Sequence, residues 1–218
     1  MIDIDLNARI NTFLNNSGIR MAQLSYEWKG WDETHACRLF QWFHDDLMEA
    51  LAQNNMHEIR MCIERILVWG GINKTPKTAN MFEYRLPCLL RKLHDRHGVL
   101  SRELMDDSIS SWTKVLAAYD PKKFCIYDSR VAIALSFLFR NRIWFIPWSY
   151  DNDLTNAIQD NVPENDNKYQ DYLIYSELVR NADPDNPGKY ERKLFMLGGV
   201  LKEMNAANPN LWVQAVNW

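Results

Sequence analysis

The residues with the most chemical promise lie in the stretch Ser110–Leu135, SSWTKVLAAYDPKKFCIYDSRVAIAL. Lys114 carries a primary amine, and Asp128, fourteen residues on, carries a carboxylate. A free amine attacks electrophilic carbon, and a carboxylate held beside a developing cation stabilises it. The stretch reads as a helix bearing Lys114, a tight Asp120-Pro121 turn, a short extended piece Phe124–Tyr127, and Asp128 at the head of the next helix. Ala117 and Ala118 stand one turn beyond Lys114, and small residues there are expected to leave the ammonium accessible. Cys125-Ile126-Tyr127 gives Asp128 an apolar approach. The expected result is a lysine and a carboxylate at the mouth of one cleft. Plainer readings stay open at this point: an aspartate before Ser-Arg-Val is a good helix N-cap, and a helical lysine is usually a solvated charge.

The elements that must position this pair read as helices nearly throughout. Only eight glycines and eight prolines occur, and no segment alternates at period two for long. Ile4–Leu14 carries a helical apolar stripe, and Asp32-Glu33-Thr34 opens a second helix with Cys37, Leu39, Phe40, Phe43, Leu47 and Leu51 on its apolar side. Met56–Trp69 is a third, stopped by Gly70-Gly71. Thr78–His97 is a fourth, kinked or restarted near Pro87. Asp106–Tyr119 and a helix from Asp128 or Ser129 to about Arg140 frame the Lys-Asp pair. Shorter helices follow near Tyr169–Arg180 and Lys189–Asn205, with a last one after Asn208-Pro209-Asn210. Asn161–Asn167 and Asn181–Gly188, rich in Asn, Asp and Pro, read as loops and as candidate lobe boundaries. The expected architecture is all-α: a single domain over 1–218, or two helical lobes with the cleft near 110–130.

Composition narrows the class. With 218 residues, 47% hydrophobic and 24% charged, the chain can bury a core without staples, and wholesale disorder is excluded. No run of about 18 apolar residues predicts a membrane span. The acidic start, Met1-Ile2-Asp3-Ile4-Asp5, does not read as a secretory signal. Cys37, Cys62, Cys88 and Cys125 form no CxxC and no Cys/His cluster, so the expectation is four reduced, mostly buried thiols in a cytoplasmic protein without a metal. His94 and His97, three apart, lack a third ligand nearby. The net charge of -3 hides an asymmetry. Met56–Arg142 holds 15 Lys/Arg against 9 Asp/Glu, whereas the remainder holds 10 against 19. A basic middle between acidic flanks suits a localised anion-binding face, or is the ordinary charge of helical surfaces.

These residues resemble the helix-hairpin-helix DNA glycosylase superfamily, most closely its 8-oxoguanine DNA glycosylase-like branch. Thr113-Lys114-Val115-Leu116 is similar to the helix start that carries the superfamily's catalytic lysine. Ile126-Tyr127-Asp128-Ser129-Arg130-Val131 is similar to the segment carrying its aspartate at the head of the next helix. The resemblance is specific over about 25 residues and general over the rest. It implies a compact multi-helix glycosylase-like fold with a degenerate helix-hairpin-helix element, since Ser108-Ile109-Ser110-Ser111-Trp112 stands where the family has a Leu-Pro-Gly-Val-Gly turn. The activity implied is excision of a damaged or modified base by cleaving the N-glycosidic bond, with or without strand cleavage. Asp128 would stabilise the sugar cation and Lys114 would attack the anomeric carbon. No metal or organic cofactor is implied. The implied partner is DNA, double-stranded with the target base flipped out.

A flipped base needs aromatic walls, and Trp69, Trp112, Trp144 and Trp148 lie in or near the basic middle, with Trp112 two residues before Lys114. Each also suits a hydrophobic core. Lys74, Lys77, Lys122, Lys123 and Arg130 are candidate phosphate contacts. The alternatives to an enzyme are a catalytically silent nucleic-acid-binding protein of the same fold, and a protein-interaction module presenting the acidic C-terminal third.

Overall fold

Asp5 accepts a hydrogen bond from the Ala8 N–H (2.9 Å) and so opens the first helix, α1 (Leu6–Ser17). Gly18, at φ +74°, closes it. The computed structural model of the chain describes residues 5–76, 78–95, 109–140, 144, 146 and 168–214. A 3₁₀ turn (Met21–Leu24) leads into a two-stranded hairpin, β1 (Glu27–Trp28) and β2 (Trp31–Asp32). Its two turn residues, Lys29 (φ 53°) and Gly30 (φ 79°), both sit left-handed, the geometry that matches strand twist in a two-residue hairpin. The helical reading of the sequence did not foresee this hairpin. Then come α2 (Glu33–Ala52), α3 (Met56–Trp69), a π-turn (Met81–Arg85) running directly into α4 (Leu86–Asp95), α5 (Ile109–Tyr119) and α6 (Ser129–Leu138). The chain continues with α7 (Lys168–Ala182), α8 (Pro187–Ala207) and α9 (Leu211–Gln214). The described residues are therefore predominantly helical, in line with the all-α expectation.

The chain divides into two compact units. One is contiguous, Asp32–Ile126, and is called the central unit here. The other, the terminal unit, is assembled from both chain ends, Met1–Trp31 and Tyr127–Trp218. The division falls inside the hairpin and just after the extended piece that follows α5. It does not fall at Asn181–Gly188, which joins α7 to α8 within the terminal unit; Asn161–Asn167 lies outside the described residues.

In the central unit, α2 and α3 form an antiparallel pair on which α5 packs, with α4 against α3 and α5. Asn55 caps α3 by accepting from His57 N and Glu58 N. The Pro87 reading meets its physical cause here. Proline has no N–H, so the Glu83 carbonyl four residues back loses its helical donor. The backbone widens over Met81–Arg85, and Arg60 Nε donates to that carbonyl at 2.9 Å. Helix α5 is buried at Ile109 and over eight consecutive residues, Ser111 through Ala118, polar side chains included. His44 Nδ1 of α2 lies 3.0 Å from the Ala118 carbonyl, near the end of α5.

In the terminal unit, α6 packs along α8, with α7 on α8 and α1 against α6 and α7. Phe137 stands edge-on to Phe13 (6.3 Å between centroids) and to Trp212 (4.8 Å). Tyr127 meets Tyr175 at 5.4 Å and Tyr172 at 6.5 Å. Arg9 Nε donates to the Leu138 carbonyl at 2.8 Å, closing the end of α6 against α1. Of the four cysteines, Cys62 and Cys125 are buried, but Cys37 and Cys88 are exposed, which corrects the expectation of mostly buried thiols. All four are free, and burial pushes the Cys62 thiol pKa up. No helix among the described residues is long and apolar enough to cross a membrane.

Candidate active site

Lys114 sits midway along α5 and is 5% exposed. This overturns the expectation of an accessible ammonium. Ala117 and Ala118 are themselves buried, so the room they leave is filled by packing rather than by water. The amine is held by its own helix: Nζ donates to the Ser110 carbonyl at 3.0 Å and lies 2.7 Å from Ser110 Oγ. The stem runs over the end of α3. A Cβ placed on Gly70 would overlap Lys114 Cδ and stand 2.7 Å from Cε. A buried lysine is costly unless it is hydrogen-bonded, and Ser110 supplies two acceptors from one residue. Sequence reasoning had assigned neither Gly70 nor Ser110 to Lys114. The four-residue spacing of Ser110 and Lys114 was a usable signal, because residues so spaced face each other on a helix.

Asp128 is the N-cap of α6. Its Oδ1 accepts from Arg130 N (3.0 Å) and Val131 N (3.1 Å). Both capping bonds use one oxygen, and nothing among the described residues hydrogen-bonds to Oδ2. The side chain is half-buried, and apolar Tyr127 precedes it, fully buried. Lys114 belongs to the central unit and Asp128 to the terminal unit. Between them Asp120 holds the turn after α5, its Oδ1 accepting from Lys122 N and Lys123 N.

The tryptophans separate. Trp112, expected as a base wall, is 1% exposed, with the Arg85 guanidinium 5.9 Å above its ring; it is a core residue. Trp144 is 2% exposed and packs on Phe139 in the terminal unit. Neither presents an open ring face, because each fills the apolar interior of its own unit. Trp69, half-buried, stands edge-on to Phe40 at 4.8 Å and immediately precedes Gly70. Gly70, over which the stem of Lys114 lies, follows Trp69 directly, and the indole itself is turned to Phe40 and Phe43. Trp148 lies outside the described residues.

The cations separate too. Arg130, expected on a phosphate, is packed between two rings, its guanidinium 4.7 Å from Trp28 and 4.6 Å from Phe195. Lys74 is paired with Glu83 at 2.9 Å, and that bond raises the lysine pKa and lowers the glutamate's. Lys122 is exposed and Lys123 half-buried, with its Nζ 5.3 Å from the Phe124 ring. Lys77 lies outside the described residues, as does His97. Among the described residues no group of His, Cys, Asp and Glu side chains could hold a metal ion. Part of the basic middle is thus already engaged within the chain, on rings and on a surface carboxylate.

In comparisons with known proteins, no family model, no curated protein and no solved structure matches this chain.

Proposed function

We propose that this protein is a DNA glycosylase that excises a modified base, with Lys114 as nucleophile and Asp128 as the electrostatic group. The observation that carries the reading is the lysine itself. It is kept out of water and hydrogen-bonded by Ser110, with its stem laid over Gly70 at the end of α3. Chains rarely bury a lysine, and buried ionisable groups concentrate where chemistry is done. Asp128 adds support because capping occupies only Oδ1. Its second oxygen is available to a sugar that becomes cationic as the glycosidic bond stretches. Attack by the amine on the anomeric carbon would expel the base with its bonding electrons. Of the four candidate tryptophans, Trp69 is the one among the described residues that is not fully buried and is left to stack on a flipped base.

The test is base release. Duplexes bearing different modified bases are incubated with the protein and heated in alkali to break the strand at abasic sites. At least one duplex is expected to be cut. Asp128→Asn should lower its excision by about a hundredfold or more while DNA binding and fold persist, since asparagine caps a helix as well as aspartate does. Undiminished excision by a folded Asp128→Asn protein sinks the mechanism. No excision from any duplex leaves the second reading, a nucleic-acid-binding protein without catalysis.

A further inference from the structure

We infer that Gly70 and Ser110 are positioning residues that set the reach and reactivity of the Lys114 amine. This rests on the reading of Lys114 as a nucleophile and deepens it. Gly70 has φ -70° and ψ 3°, a conformation open to any residue, so the backbone does not require glycine there. Its neighbour Gly71, at φ +80°, is the one whose conformation favours glycine. What position 70 lacks room for is a methyl group, because the Lys114 stem occupies that space. The glycine is a notch across which the lysine is laid.

Ser110 fixes the other end. Its carbonyl can only accept, so the amine must point one N–H toward it. Its hydroxyl oxygen accepts from the ammonium and equally from one of the two N–H groups that a free amine keeps, so the contact at 2.7 Å survives deprotonation without occupying the lone pair. One residue thus orients the nitrogen and stays bonded to it when the lone pair is released for attack. Notch and clamp come from different elements, α3 and α5, both within the central unit.

The experiment uses the full chain and a duplex carrying one abasic site. The Lys114 amine adds to the sugar aldehyde, a carbon–nitrogen double bond forms, and the aldehyde oxygen leaves as water. Borohydride then delivers hydride to that carbon, and a proton from water completes a stable secondary amine joining protein to DNA. Adduct formation is followed against time and pH, with duplex affinity measured separately. Gly70→Ala should slow trapping by roughly ten- to a hundredfold with affinity unchanged, the scale of a displaced reacting group. Ser110→Ala should slow it and move the pH profile, and Ser110→Thr, which restores the hydroxyl, should recover both. Wild-type rates and profiles in both Gly70→Ala and Ser110→Ala overturn the inference. If the wild type forms no adduct, or Lys114→Gln traps undiminished, the nucleophile reading fails by itself. The positioning is then read from the ¹³Cε resonance of Lys114, which must shift in both variants; an unmoved resonance overturns it.

Discussion

In the terminal unit, Gly198 lies on α8 where a Cβ would overlap the Arg130 carbonyl and stand 2.8 Å from the Arg130 Cα. In the central unit, a Cβ on Gly70 would overlap the stem of Lys114 and meet the Leu67 carbonyl at an ordinary 3.4 Å. Both positions exclude a methyl group, but for different reasons. Gly198 lets two backbones touch, and neither can move without unpacking α6 from α8. Gly70 accommodates the flexible middle of one side chain, which can swing aside. The first glycine therefore belongs to the fold and the second to the lysine. A glycine inside a helix costs about 1 kcal/mol relative to alanine, so Gly198-Gly199 in mid-α8 is retained against local preference. The Arg130 backbone pressed on Gly198 supplies the reason, and the same residue's guanidinium, held by Trp28 and Phe195, ties hairpin, α6 and α8 together.

The largest effect expected from this contrast is on stability. Gly198→Ala should cost roughly 3 kcal/mol or more, since the overlap is with rigid backbone. Gly70→Ala should change stability by less than about 1 kcal/mol, because alanine fits the backbone there and lowers the entropy of the unfolded chain. Urea denaturation of both variants checks this. Equal losses would show that Gly70 is structural as well, and the distinction between the glycines would collapse.

A smaller effect is expected on DNA affinity, and it sharpens which cations remain available outside the two interiors. Charge reversal at Lys122 and Lys123 should weaken binding to all duplexes alike and flatten its dependence on salt, as lost phosphate contacts release fewer counterions. Lys168→Glu, in the acidic terminal third, should change little. Titrations at several salt concentrations decide it, and comparable losses from both sites would place the footprint elsewhere.

The smallest effect concerns the Lys74–Glu83 pair on the central unit. The bond to Lys74 holds the Glu83 pKa below the usual glutamate range, and the bond to Glu83 holds the Lys74 pKa above the usual lysine range. The glutamate's contribution is therefore complete above its unfolded pKa and lost as pH falls through the lowered one. The lysine's is complete below its unfolded pKa and lost as pH rises through the raised one. Between those limits the contribution should be flat. Both groups are exposed to solvent, so Glu83→Gln should barely move the melting temperature in moderate salt. A clear loss at neutral pH would mean that the Arg60 and Pro87 region depends on this pair.

Much of the fold was legible in the sequence because its signals are local. Asp5, Asp32, Asn55 and Asp128 cap helices through N–H groups two or three residues ahead, a relation fixed by chain spacing alone. Pro87 disturbs its helix through a carbonyl four residues behind. Asp128 at the head of α6 and Lys114 on α5 were placed on the right elements for that reason. The burial of Lys114 was not legible, since it depends on Gly70, 44 residues earlier, and on the packing of α2, α3 and α4 around α5. The ring partners of Arg130 were not legible for the same reason: Trp28 and Phe195 come from opposite ends of the chain. Spacing along a helix determines which groups can bond to their own backbone. Only the assembled structure decides which faces lose their water, because burial is a property of neighbours brought together from distant parts of the chain.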